Sequence, residues 1–252
     1  MNTPGATLIA IPGQSERLDW VRERLDHQGL AAMRVTAPPV GDATLLIGDA
    51  TGWNWLCAAP PASGPRCFVD VSGDWFGQIA ARAAQAATFR CTYLELAGPW
   101  HPCGATLGFG LAVGSDDPAA IDTCRPLLDA LAPTAGLFAV VGRAGAASFS
   151  YGIAEAVRHL WLSQLAPWST LSPETLDITH WVDRLRQHDT QLEPLLTAAQ
   201  CWRRLSPPDE GPPPFADALA DWLIACLPLA SEMDRRLAVW LQQAADSSTQ
   251  PA

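Results

Sequence analysis

Residues 107–142 read LGFGLAVGSDDPAAIDTCRPLLDALAPTAGLFAVVG, and this stretch decides the fold. The apolar runs at its two ends, LGFGLAV and LFAVVG, have the length and composition of buried strands. Between them, residues 118–132 have the pattern of a helix, with Asp117 as the N-cap and Pro118 at the first helical position. A strand, a helix and a second strand in this order predict one unit of a parallel sheet.

The same alternation extends toward the N-terminus. Five further runs predict strands: TLIAI (7–11), AMRV (32–35), TLLIG (44–48), CFVDV (67–71) and TYLEL (92–96). Helical patterns cover residues 15–28 and 75–88, whereas the Pro-rich stretches 37–40 and 58–65 predict short loops in place of helices. We therefore predict an α/β fold in which residues 1–143 form a Rossmann-like, mostly parallel sheet with helices on both faces.

After residue 145 the apolar residues recur with a period of 3.6 and no strand is predicted. Phe149, Ile153 and Val157 begin one apolar helical stripe. Four more helices are predicted, at 178–185, 192–205, 215–227 and 231–245. Five of the eleven Trp residues lie on such stripes, which favours core or dimer packing over ligand stacking. Residues 144–245 are thus expected to form an all-α domain, followed by a disordered tail at 246–252.

The composition excludes several classes of function. The 252-residue chain has 16 basic and 26 acidic residues, a net charge of −10, so the positive field needed for nucleic acid is missing and anionic membranes are disfavoured. All 16 basic residues are Arg, and the chain contains no Lys. Mechanisms that need an ε-amine, such as Schiff-base chemistry, are therefore excluded.

Cysteines and the N-terminus indicate a reducing compartment. The seven Cys residues form no CxxC pair and have no His at metal-ligand spacing, so we predict free, buried thiols and no metal site. The first residues have no basic n-region, and their apolar stretch is too short for a signal or a membrane span. The expected location is the cytoplasm.

Four segments together resemble the β-hydroxyacid dehydrogenase superfamily, which includes 3-hydroxyisobutyrate dehydrogenase, 6-phosphogluconate dehydrogenase and the imine reductases. They are VDVS (69–72), YLELAGP (93–99), GATLGFGLAVGSDDPAAIDTCRPLLDALA (104–132) and VVGRAG (140–145). Asp70 and Glu95 also lie 95 − 70 = 25 positions apart, as in that family. The resemblance implies an NAD or NADP cofactor on the first domain and a homodimer formed through the helical domain at 144–245.

The cofactor loop departs from the family pattern. Where the family has G-x-G-x-x-G, this chain has IPGQSER (11–17), in which only Gly13 remains. The resemblance assigns cofactor binding to Gly13, Gln14, Ser15 and Ser72. Pro12 donates no hydrogen bond, and bulky residues follow at 16 and 17, so conventional NAD or NADP binding is expected to be impaired. The choice between NAD and NADP stays open, because no acidic residue ends the second predicted strand.

The catalytic positions are altered as well. The substrate loop of the family corresponds to residues 95–101 here, which end in His101, a candidate replacement acid or substrate contact. The catalytic K-x-x-x-N motif corresponds to Tyr151 and Glu155. By resemblance to imine reductases, Tyr151 is a candidate proton donor beside a nicotinamide, and Glu155 could form a polar cluster with Arg158. Each residue also has a purely structural interpretation, as a helix, loop or ion-pair residue.

Two functions follow from these departures. The favoured one is a pseudoenzyme, a non-catalytic binding or scaffold protein that keeps the dehydrogenase fold and its homodimer. The alternative is an NAD(P)H-dependent reductase of the imine-reductase type that uses Tyr151. Activity as an oxidoreductase is therefore left open, as is the identity of a small-molecule or protein partner. A small-molecule sensor is a third class, supported only by the cleft expected of such a fold.

Overall fold

The computed structural model describes residues 8–37, 43–58, 67–165, 178–206 and 212–248. The chain divides into two compact units, Met1–Tyr151 and Gly152–Ala252. The Pro-rich stretches, apart from residues 37 and 58, and positions 249–252 of the predicted tail lie outside the described residues.

The first unit is built on a seven-stranded sheet in the order β2-β1-β3-β4-β5-β6-β7. The strands are β1 (Ile9–Pro12), β2 (Ala32–Val35), β3 (Leu45–Gly48), β4 (Cys67–Asp70), β5 (Thr92–Ala97), β6 (Leu111–Gly114) and β7 (Phe138–Gly142). All neighbouring pairs are parallel except β5 and β6, which are antiparallel. The predicted mostly parallel α/β fold is therefore confirmed.

Helices connect these strands; those at 16–27, 76–88 and 118–131 were predicted, whereas those at 50–58 and 104–107 were not. The helices are α1 (Glu16–His27), α2 (Ala50–Ala58), α3 (Phe76–Thr88), α4 (Gly104–Leu107), α5 (Pro118–Leu131) and the start of α6 (Ala146–Leu165). As predicted, Asp117 caps α5, its carboxylate accepting the N–H of Ala119 at 2.9 Å. The strand predicted at 107–113 is wrong at its start, because Leu107 ends α4 and β6 begins at Leu111.

Both faces of the sheet are covered. On one face α1 and α5 pack over the sheet, with Leu25 and Leu128 fully buried. On the other face α2 and α3 bury Trp53 and Ile79 against Phe68. Because β1, β3 and β4 are buried along their whole length, their sequences are continuous apolar runs rather than alternating ones.

The described part of the second unit is helical, as predicted. After α6 it contains α7 (Ile178–Leu205) and α8 (Phe215–Ser248), which pack against each other. The four predicted helices are thus two, and α8 extends three residues into the predicted tail. None of the described helices is both long and apolar enough to cross a membrane. The seven cysteines are free thiols, of which Cys67, Cys91 and Cys124 are buried.

Candidate functional site

The candidate site is the carboxyl edge of the sheet at β1 and β3. β1 lies between β2 and β3, so the chain leaves it to one side through α1 and later returns on the other side. In open α/β sheets, ligands bind at this point, where the strand order reverses. The groups that meet here come from the β1–α1 turn, from the end of β3 and from the end of β4.

Asp49, directly after β3, lies at the centre of this edge. One carboxylate oxygen, Oδ2, accepts the backbone N–H groups of Gln14 at 3.1 Å and Ser15 at 2.9 Å. The other, Oδ1, accepts the N–H of Gly52 at 2.9 Å. Burial acts to raise the pKa of Asp49, but these N–H donors outweigh it and hold the pKa below its ordinary value. Asp49 is therefore a buried, ionised carboxylate bound to the N-terminus of α1.

Gly13 allows this close approach. Its φ of +132° is a conformation that residues with a side chain rarely adopt, and a Cβ built on it would lie 2.2 Å from Oδ1 of Asp49. The surviving glycine of the turn thus makes room for the protein's own carboxylate.

Arg34 fixes the turn from the other side. Its Nη1 donates to the backbone carbonyls of Ile11 at 2.9 Å and Gly13 at 2.8 Å, and its Nε forms an ion pair with Asp19 at 2.9 Å. The guanidinium therefore links the end of β1 to helix α1 by charge-assisted hydrogen bonds.

Arg17 lies across the end of β4. From the first turn of α1, its Nη1 donates to the carbonyl of Val71 at 2.7 Å and to the carbonyl of Ser72. Ser72 also forms two hydrogen bonds of its own: its N–H donates to Asp70 at 2.7 Å and its Oγ accepts from Arg82 at 3.0 Å. Ser72, a candidate cofactor residue, therefore takes part in a polar network within the first unit.

That network is centred on Asp70, which is almost completely buried. Arg82 donates to Asp70 at 2.8 Å, and the hydroxyl of Tyr93 donates to the same carboxylate. Burial raises the pKa of Tyr93, and the neighbouring Asp70 charge adds to the effect. Asp70 therefore links β4 to α3 through Arg82 and to β5 through Tyr93.

Glu95, at the start of the altered substrate loop, caps α6. It is 1% exposed and accepts the N–H groups of Gly145 at 2.8 Å, Ala147 at 3.1 Å and Ser148 at 2.8 Å. Burial raises its pKa to about 7, although these hydrogen bonds act in the opposite direction. Its carboxylate oxygens thus bind the N-terminus of a helix.

The three candidate catalytic residues lie on helix α6 and in the loop after β5. Tyr151 and Glu155 lie on α6 and are half-buried. Glu155 forms an ion pair with Arg158 at 2.6 Å on the same helix. His101 is exposed in the loop after β5, and its Nδ1 lies 3.0 Å from Sγ of Cys103. The contacts of His101 are local, and those of Glu155 include an ordinary helix-face pair.

Of the candidate cofactor residues, Gly13, Gln14 and Ser15 come together around Asp49. In a dinucleotide-binding domain the pyrophosphate binds to the backbone N–H groups at this helix N-terminus. Here those N–H groups are bound to Asp49. The residues present therefore do not fit NAD or NADP bound in the usual way. Among the described residues there is also no cluster of three or more His, Cys, Asp or Glu that could hold a metal ion.

Sequence reasoning missed Asp49, Arg17 as a contact of β4, and Arg34 as a contact of β1. A signal for Asp49 was present, because it follows the buried run LLIG as Asp70 follows CFV. Polar residues directly after buried parallel strands lie at the ligand-binding edge of the sheet. Applied to β3 as well as β4, this rule would have drawn attention to Asp49.

Comparisons with known proteins agree on the fold. No protein-family model and no curated protein matches the sequence. Among solved structures, Mycobacterium tuberculosis 3-hydroxyisobutyrate dehydrogenase has a TM-score of 0.54 at 16% identity, over 92% of this chain and 99% of that one. Streptomyces aurantiacus imine reductase has a TM-score of 0.53 at 14% identity, over 91% and 98%. A reductive aminase from Aspergillus terreus, solved with NADPH and ethyl-5-oxohexanoate, has a TM-score of 0.52 at 16% identity, over 92% and 94%.

These similarities define the class of fold: a Rossmann-like domain followed by a helical domain, as in 3-hydroxyisobutyrate dehydrogenases and imine reductases. They extend over nearly the whole chain, which confirms the fold that the sequence resemblance implied. At such low identity the similarity concerns the fold, and function depends on the site.

Proposed function

We propose that this protein is a non-catalytic binding or scaffold protein with the dehydrogenase fold, and that it works without NAD or NADP. The observation that carries the proposal is the carboxylate of Asp49 on the N–H groups of Gln14 and Ser15. A dinucleotide would need those donors for its pyrophosphate. Arg17 adds a second obstruction, since it covers the backbone carbonyls at the end of β4.

The reductase alternative depends on the same edge of the sheet. Reduction of an imine requires a hydride donor as well as a proton donor. Tyr151 is a candidate for the proton donor only, so the hydride would have to come from a bound nicotinamide. Without a bound nicotinamide, Tyr151 has no reaction to assist. Because Asp49 occupies the N–H groups at the carboxyl edge of the sheet, we expect neither the oxidation nor the reduction that proteins with this fold catalyse with a bound nicotinamide.

A titration with NADPH and then NADH, followed by Trp fluorescence, tests the proposal. We expect no saturable quenching at cofactor concentrations up to about 1 mM, because a cofactor would first have to displace Asp49. Circular dichroism of the same sample shows that the protein is folded. Saturable binding at micromolar cofactor would overturn the proposal, and comparison of imine reduction by wild type and Tyr151→Phe would then test the reductase mechanism.

The proposal includes a homodimer formed through α8. One face of this helix carries five large apolar side chains that are 45% to 70% exposed. We call this set the α8 stripe: Trp222, Leu229, Met233, Leu237 and Trp240. Steps of three, four and seven residues place them on one side of the helix, over about 27 Å at 1.5 Å per residue. Such a contiguous exposed apolar surface is typical of a protein interface.

A second copy of the chain fits the α8 stripe. The stripe has a large indole at each end, so an antiparallel copy brings Trp222 of one helix to Trp240 of the other, with Leu229 and Met233 at the centre. A two-fold axis produces such self-complementary contacts.

A further inference from the structure

The carboxylate of Asp49, an anion of the chain itself, lies at the N-terminus of α1. Both oxygens of Asp49 accept hydrogen bonds, and all three donors are backbone N–H groups. We propose that Asp49 takes the place of a phosphate group and acts as a built-in ligand that occupies these N–H donors and keeps the anion site closed. This inference rests on the proposed function, since it explains how the chain folds without a dinucleotide.

The chemistry of the two groups is alike. A phosphate and a carboxylate both present negatively charged oxygens, and both are stabilised by N–H donors at a helix N-terminus. Asp49 contacts the starts of two helices, because Ser15 is the N-cap of α1 and Gln14 precedes it, whereas Gly52 belongs to the first turn of α2. One buried carboxylate thus neutralises the N-termini of both helices across 35 residues of sequence.

The backbone around Asp49 is shaped to bring this carboxylate close. A Cβ at Gly13 would lie 2.2 Å from Oδ1 of Asp49, and a Cβ at Gly52 would lie 2.3 Å from the carbonyl oxygen of Pro12. Two glycines are therefore needed for the turn and the Asp49 segment to meet. The space beside the Gln14 and Ser15 N–H groups is taken up by the carboxylate.

Thermal unfolding of Asp49→Ala in inorganic phosphate tests this assignment. Loss of the carboxylate leaves three buried N–H groups without their acceptor, so we expect Tm to fall by roughly 5 °C. Free phosphate can then bind the vacated donors. Between about 1 and 100 mM phosphate, compared with chloride of equal ionic strength, we expect Asp49→Ala to regain at least half of the loss.

Asp117→Ala is the matched control, since it also removes an aspartate that caps a helix, in this case α5. Wild type and Asp117→Ala should gain only the small, general stabilisation that phosphate gives to folded proteins. An equal phosphate response in all three proteins would overturn the inference. If Asp49→Ala does not fold, Asp49→Asn replaces it; its neutral side chain should give a smaller but still excess response, and no excess would again overturn the inference.

Different measurements would overturn the proposed function and the assignment of Asp49. Binding of NADPH by the wild type would overturn the proposed function. The phosphate response of the Asp49 variants, measured without any dinucleotide, decides only whether Asp49 stands in for a phosphate.

Discussion

Burial and backbone donors act in opposite directions on the carboxylates at the carboxyl edge of the sheet. Asp49 and Glu95 each accept three backbone N–H groups. The pKa of Asp49 is lowered because its donors outweigh burial, whereas burial dominates at Glu95 and raises the pKa to about 7. Two residues with the same kind of partner are therefore expected to differ in charge near neutral pH.

Glu95 gives a prediction about pH. Its folded pKa of about 7 lies above the ordinary 4.5, so the folded state holds the proton more tightly than the unfolded chain. The free energy of unfolding should then fall as pH rises from 4.5 to 7, by about 3 kcal/mol from this residue. Glu95→Gln, which resembles the protonated acid, should remove that part of the pH dependence.

Urea unfolding of both proteins between pH 5 and pH 7.5 measures the difference. Asp122→Asn is the control, because Asp122 is exposed on α5 and its loss should leave the pH dependence close to that of the wild type. Parallel curves for wild type and Glu95→Gln would contradict the prediction.

At the scale of elements, the long helices α7 and α8 show what sequence periodicity missed. Each contains an exposed internal proline, Pro194 in α7 and Pro228 in α8, and the predicted break between 227 and 231 falls at Pro228. A proline removes one hydrogen bond and costs about 3 kcal/mol in a helix interior. In helices of 28 and 34 residues that pack against each other, tertiary contacts compensate for that cost.

Asp217 links these two helices and supplies the second prediction. Its buried carboxylate accepts from Trp202 Nε1 at 2.7 Å and Ser206 Oγ at 3.0 Å, and pairs with Arg203 at 3.2 Å. Asp217→Ala leaves these donors without a partner and should lower the free energy of unfolding by about 3 kcal/mol.

Asp221 is the matched comparison, because it pairs with the same Arg203 at 2.8 Å but is 55% exposed. Asp221→Ala should cost less than about 1 kcal/mol in the same urea titration. If the two variants lose similar amounts of unfolding free energy, burial of Asp217 does not account for the stability that its contacts contribute.

At the scale of the whole molecule, the fold was predictable, whereas only part of the site was: the turn at Gly13 to Ser15 was identified, but its partner Asp49 was not. Each strand of the first unit and three of its helices, α1, α3 and α5, leave a local pattern, and the segments at 69–72 and 140–145 resemble a known family. The contacts that close the site join residues far apart in sequence: Asp49 lies 34 and 35 positions from its α1 partners, and Arg17 lies 54 and 55 from its own. Local periodicity in the sequence carries no information about which distant residues form such pairs.

The homodimer is the prediction that belongs to the whole molecule. We expect light scattering to give twice the chain mass of 26.9 kDa for the wild type. The double variant Leu229→Glu and Met233→Glu places four like charges at the centre of a two-fold interface, so its mass should fall to that of one chain. Leu137→Glu is the control, since Leu137 is similarly exposed but lies just before β7 in the first unit. A wild-type monomer, or a dimer that survives the double variant, would show that the α8 stripe does not join two copies.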